Sequence, residues 1–228
     1  ADERLSAEAD QVRQRHLAYY AELAQALEDQ VYRGLVDEAG FLQRLTAEHD
    51  NIRAALAWAF AGHDPARGAQ LAAAMKMFWY MRGHLHEGRR WLEEALRQVG
   101  EPGGTRAAAL NGAGVLTWQQ GDYPLAQTYL EEALTVWRRP GLEQSRGLAL
   151  ALNVMGHVRF DQRDYAAARP LFAESLAVNR TRGEDLEAMA LTGDLGMVAS
   201  QLGDYAEARV QFEVVLAQAR VQGSRDAV

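Results

Sequence analysis

The sequence predicts an all-α fold, a solenoid of helix hairpins, from three observations. The composition favours helix, one segment recurs three times at nearly constant spacing, and the recurring residues are the types that let two helices fold back tightly on each other. With 228 residues and 48% hydrophobic content the chain can bury a sizeable core. Alanine, arginine and glutamate are abundant, Lys76 is the only lysine, and five prolines interrupt the sequence.

The recurring segments begin at Leu110 (LNGAGVLTWQQGDYPLAQTYLEEAL), Leu152 (LNVMGHVRFDQRDYAAARPLFAESL) and Leu191 (LTGDLGMVASQLGDYAEARVQFEVVL). Their Asp-Tyr pairs, at Asp122, Asp164 and Asp204, are spaced 42 and then 40 residues apart. Gly114, Gly156 and Gly196 fall mid-helix, where glycine costs about 1 kcal/mol against alanine, so a closely packed partner helix is expected there. Gly121 and Gly203 suit the left-handed end of a first helix, and the three aspartates suit the N-cap of a second. Ala126, Ala168 and Ala208 give a small contact, followed four residues on by Leu130, Phe172 and Phe212.

This order of Leu, Gly, Gly-Asp-Tyr, Ala, bulky residue and Ala-Leu resembles the tetratricopeptide repeat. The resemblance implies a right-handed superhelical α-solenoid, here with long repeats of about 40 residues where about 34 is usual. Arg163 stands where the turn glycine belongs in the second repeat, and Pro170 lies inside its second helix, where it removes a backbone bond and should bend the helix. A degenerate copy precedes these three: in LAAAMKMFWYMRGHLHEGRRWLEEAL, Gly83, Gly88 and Leu92 align with Gly121, Ala126 and Leu130.

Two long helices, Leu5 to Gln30 and Phe41 to Phe60, are expected ahead of the repeats, making about ten helices and no strand. Gly62, Asp64 and Pro65 separate them from the array. The domains expected are a helical pair over 1–62, linking to an upstream module, and an array over 63–228 with hairpins at about 66–99, 105–139, 145–181 and 186–222. The chain starts without Met and reads as a piece of a longer protein.

A second resemblance rests on RHLAYYAELAQAL, FLQRLTAEHDNIRAALAWAF and FWYMRGHLHEGRRWLEEAL, above all on the run from Glu48 to Leu56. These are similar to the helical region of bacterial signal-transduction ATPases with numerous domains, including LuxR-type and maltose-activator-like transcriptional regulators. The resemblance implies a sensor and scaffold that receives an effector and contacts the neighbouring ATPase domains of the parent chain. A free-standing adaptor that assembles other proteins fits the repeats alone equally well.

In a tetratricopeptide solenoid the first helices of successive hairpins line a concave groove. Counting back from each turn puts Met77, Tyr80, Asn111, Val115, Trp118, Asn153, His157, Phe160 and Met197 on that wall, with Gly193 and Ser200. Such a stripe suits a protein, a peptide or a small-molecule effector. Aromatic residues at helical spacing equally suit a core, and both readings stand for Trp118, Phe160 and Tyr80. Asn111 and Asn153 fit the groove better, because helix interiors disfavour asparagine and both recur at one repeat position.

Other functions find no support in the residues. The formal charge of −7, with basic residues scattered among acids, argues against direct nucleic-acid binding. No cysteine is present, no apolar run approaches the roughly 20 residues of a membrane helix, and the N-terminus is unlike a signal peptide, so a cytoplasmic setting is expected. No phosphate-binding loop, dinucleotide turn, HExxH or GxSxG occurs, so no catalytic residue, metal or cofactor is assigned and the segment is read as no enzyme. His63, His84 and His86 are spaced poorly for zinc and read as polar turn residues. Arg89-Arg90, Arg138-Arg139, Glu93-Glu94 and Glu131-Glu132 read as solvated faces held by intrahelical ion pairs.

Overall fold

The computed structural model describes residues 2–100 and 103–225, with side chains described for 8–100 and 103–220. Among the described residues every regular element is helical: α1 (Asp2–Tyr32), α2 (Glu38–Ala47), α3 (His49–Trp58), a π-turn (Ala59–His63), α4 (Pro65–Ala74), α5 (Lys76–Arg82), α6 (Leu85–Gln98), α7 (Gly104–Gln119), α8 (Tyr123–Trp137), α9 (Arg146–Asp161), α10 (Tyr165–Arg182), α11 (Asp185–Gln201) and α12 (Tyr205–Arg225). The chain divides into two compact units, residues 1–136 and 137–228.

The ten helices expected become twelve because two of them break once each. The helix expected from Phe41 breaks at Glu48, which leaves helical geometry at φ −101° and ψ 2°. The Glu48 carboxylate there accepts from Tyr20 Oη at 2.8 Å and Asn51 Nδ2 at 2.9 Å, which holds the bend to α1. A second break falls at Met75 (φ −82°, ψ −6°), between α4 and α5. The run from Glu48 to Leu56 is thus a clamp: Ile52, Ala55 and Leu56 are buried, and Arg53 grips the Glu87 carboxylate of α6 through Nε and Nη2, both at 2.6 Å.

In the first unit α1 packs on α4 and α4 on α7, so the first helices of successive hairpins lie side by side. Trp79 is fully buried, and a Cβ on Gly88 would come within 2.6 Å of its ring. Half-buried Lys76 and buried Glu28 form an ion pair joining α5 to α1. At the end of α6, Arg106 donates to the carbonyls of Leu96 and Val99, each at 2.7 Å, satisfying acceptors that the helix terminus leaves open.

The mid-helix glycines do what the repeat demands. A Cβ on Gly114 would lie 2.8 Å from Leu130, one on Gly156 2.6 Å from Phe172, and one on Gly196 2.8 Å from Phe212. Each hairpin is therefore locked by one bulky side chain of the second helix seated on a bare glycine of the first. The aspartate caps form as well: Asp122, Asp164 and Asp204 accept from the backbone N–H groups of Leu125, Ala167 and Glu207. Helix α10 runs through Pro170 to Arg182.

Arg163 takes a left-handed φ of 63°, where Gly121 and Gly203 have 80° and 82°. A side chain there crowds the following carbonyl, at a cost of roughly 1–2 kcal/mol. Arg163→Gly is expected to stabilise the second unit by about 0.5–1 kcal/mol, the strain relieved being partly offset by the freer unfolded chain. Urea denaturation checks this; a loss of stability would contradict it.

Candidate binding faces

In the first unit the side-by-side first helices enclose an open cavity of about 640 Å³. Its polar lining comes from Glu22, Gln25 and Asp29 of α1, Arg67 and Gln70 of α4, and Thr105 of α7, with alanines between them. The cavity is within the size range of sites that take a small molecule or several side chains of a peptide. Two acidic groups and one guanidinium give it both signs of charge, Arg67 lying 4.0 Å from its own cap Asp64.

In the second unit the corresponding face is built by α9 and α11. Asn153, His157 and Phe160 stand one turn apart on α9. His157 Nε2 lies 3.6 Å from Asp194 Oδ2 of α11, and its ring meets Phe172 edge-on at 5.0 Å. Burial pushes the His157 pKa down, while the charges of Asp194 and Asp161 oppose that shift. Burial raises the Asp194 carboxyl, and the imidazole counters it. Asn153 Oδ1 is sealed from solvent without a hydrogen-bond donor, as is Glu187 Oε2 on the first turn of α11.

Because the folded His157 resists protonation, its contribution is present above the ordinary value of 6.5 and is lost as pH falls through that value toward the lower folded pKa. An NMR titration of the His157 ring is expected to give a midpoint below 6.5, and Asp194→Asn to lower it further by removing the favourable charge. A midpoint above 6.5 would contradict the burial account.

The residues expected on the groove wall divide by exposure. Tyr80 and Met197 are exposed, and Met77, Trp118, Asn153, His157 and Phe160 are half-buried. Phe160 also packs on the core cluster around Phe172 and meets Tyr165 at 5.1 Å. Asn111 and Val115 lie beneath the surface, Asn111 only 2% exposed. The cavity residues of α1 escaped the sequence reading because α1 carries no repeat signature. Asp194 escaped because its partnership with His157 appears only when α9 and α11 are set in register; an acid on the face adjoining an expected groove histidine was the available signal.

His84 and His86 at the degenerate turn and His63 upstream of it do not converge. His63 stacks on Trp58 at 4.5 Å, His84 lies beside His49 at 5.1 Å, and His86 Nδ1 sits 3.2 Å from Gln120 Nε2. Among the described residues no group of three or more His, Cys, Asp or Glu could hold a metal ion, and no helix is long and apolar enough to cross a membrane. Arg89 pairs within its helix to Glu93 at 2.7 Å, as expected. Arg138 instead reaches Glu174 of α10 at 2.9 Å, because its helix has already ended at Trp137.

Comparison with known proteins agrees with this architecture. Tetratricopeptide-repeat family models match residues 106–139 and 147–220. Among solved structures, BtubC (BKLC) from P. vanneervenii superposes with a TM-score of 0.67 at 19% identity, over 95% of this chain and 93% of that one. PilF of Pseudomonas aeruginosa gives 0.61 at 20% identity, over 90% and 77%. Kinesin light chain TPR-like repeats of Podosopora anserina give 0.63 at 17%, over 90% and 96%. These similarities concern the fold. Proteins of Mycobacterium bovis and Mycobacterium tuberculosis described as HTH-type transcriptional regulators are 36% identical over 91 residues, 40% of this chain. The chain spans about 10% of the length of those relatives. Residues 106–139 and 147–220 are accordingly tetratricopeptide repeats, set in an all-helical chain.

Proposed function

We propose that this chain is a non-catalytic scaffold that binds a protein or peptide on the faces of its first helices, as the sensing repeat region of a longer regulatory protein. The observation that carries the reading is the 640 Å³ cavity on α1, α4 and α7, lined by alanines with a few polar groups among them and formed by the helix row that such repeats use for recognition. The α9 and α11 face supports it with half-buried Asn153 and His157 and with Met197 exposed. Partial similarity to HTH-type regulators supports a place in a transcriptional regulator, and the signal-transduction ATPase kind rests on the resemblance of the run from Glu48 to Leu56. The acidic balance of −7 supports a partner other than nucleic acid.

Ala26 is exposed at the cavity wall, so Ala26→Trp fills the space without disturbing the core. For a peptide selected from a random library for binding to the first unit, this variant is expected to weaken affinity by more than about tenfold, roughly 1.4 kcal/mol, with helical circular dichroism unchanged. Unchanged affinity would sink the assignment of the cavity. A nucleotide-binding loop encoded in the same polypeptide supports the regulator over a free-standing adaptor, and native mass spectrometry of that polypeptide would show whether an effector travels with it.

A further inference from the structure

The walls of the first-unit cavity differ in charge. The α1 wall takes its residues at i, i+3, i+4, i+7, i+8 and i+11 from Ala18, so one face of that helix is turned inward over about 16 Å. Three of the six are alanines, which leaves the wall low around its two carboxylates, exposed Glu22 and half-buried Asp29. From His16 to Tyr32, α1 carries Glu22, Glu28 and Asp29 and no arginine or lysine. Lys76 is paired with Glu28, outside the cavity lining. The unit as a whole leans the same way: residues 1–136 hold nineteen acidic and thirteen basic residues, which is −6 of the chain's −7. The other walls carry the opposite sign. Arg67 lies there, 4.0 Å from Asp64, together with the first turn of α7 at Gly104 and Thr105, whose N–H groups bear the partial positive charge of a helix start. A cationic occupant is therefore drawn to the α1 wall and not across the cavity.

Spacing selects the backbone of that occupant. Glu22 and Asp29 are seven residues apart, two turns and about 10 Å along the helix. A helix lying along α1 offers side chains at i and i+7 with the same separation. An extended chain presents one face at every second residue, near 7 Å and then near 13 Å, and so straddles the pair. Between the two carboxylates the alanines leave room for large side chains one turn along the incoming helix, the pattern by which an amphipathic helix seats in a groove.

We propose that the first-unit cavity receives one face of a cationic amphipathic helix from a partner protein. Arginine or lysine at i and i+7 meets Glu22 and Asp29, and large apolar residues at i+3 and i+4 fill the alanine-lined space between them. The inference rests on the cavity being a binding face and adds the charge, the conformation and the register of what it binds.

The test is fluorescence anisotropy of the whole chain with a labelled alanine-based helical peptide of about 18 residues, carrying arginine at i and i+7 and leucine at i+3 and i+4. A control peptide of the same composition moves the second arginine to i+5, about 140° round the helix. The control is expected to bind at least about tenfold more weakly. Glu22→Gln with Asp29→Asn is expected to weaken the i, i+7 peptide by about tenfold and to remove most of its salt dependence. Glu22→Gln alone, at an exposed residue, is expected to weaken it severalfold, and Arg67→Gln to strengthen it. Equal affinity for the two peptides, affinity unchanged in the carboxylate variants, or equally tight binding of a peptide with glutamate in place of arginine would each overturn the proposal. So would displacement of the peptide by argininamide at equal concentration, which gives the cavity to a small molecule. If Ala26→Trp still blocks library-selected peptides while the arginine helix neither binds nor competes, the cavity stands as a binding face and this proposal alone falls.

Discussion

Replacing Phe172 with alanine is expected to destabilise the second unit by about 3–5 kcal/mol, the usual range for emptying a buried phenyl site. The ring is fully buried where α9, α10 and α11 meet. It sits on Gly156 in its own hairpin, receives the edge of His157, and joins Leu191 in the core shared with the next hairpin. Its loss therefore unlocks the turn of one hairpin and the seam to its neighbour together. Phe212→Ala removes the same ring from a site that is 44% exposed and is expected to cost far less. Urea unfolding of the two variants, followed by circular dichroism, gives the comparison; equal costs would contradict the packing account.

Lys76→Met is expected to cost the first unit about 3–5 kcal/mol, because it strands the buried Glu28 carboxylate. Lys76 donates both to that carboxylate and to the Ala73 carbonyl, so α1, α4 and α5 lose a common tie. The double variant Lys76→Met with Glu28→Leu is expected to regain most of the loss, since a well-packed apolar pair is often no worse than a buried ion pair. A double-mutant cycle read by thermal unfolding checks the coupling. If the double variant proved as unstable as the single, simple desolvation of Glu28 would not explain the effect.

The hairpins were legible because their lock is local. Gly156 and Phe172, or Gly114 and Leu130, lie sixteen residues apart, and the Asp-Tyr turn between them fixes the geometry that brings them together. Arg163 was legible for the same reason: a turn that needs a left-handed residue shows a departure at one position. The breaks at Glu48 and Met75 were not legible, since the apolar period runs through both. The first is held by Tyr20 from α1, a contact 28 residues away that no spacing rule reveals.

The candidate faces were legible in part. Position counting put His157 and Asn153 on the first-helix face of α9, but it could not distinguish a half-buried Asn153 from a fully buried Asn111. Burial at that repeat position depends on how closely the adjoining first helices approach, and that is set by many side chains at once. The cavity at α1 was hidden for a further reason. Its polar residues, Glu22, Gln25 and Asp29, read as an ordinary solvated stripe until α4 and α7 are placed beside them.

The most direct test of the account is a hydrogen-exchange footprint of a bound peptide on this chain. Protection is expected over Glu22–Asp29, Arg67–Ala73 and Gly104–Ala108, or over Asn153–Phe160 and Asp194–Met197, where the first helices present their faces. Protection confined to the second helices α6, α8 and α10, with those segments unchanged, would contradict it.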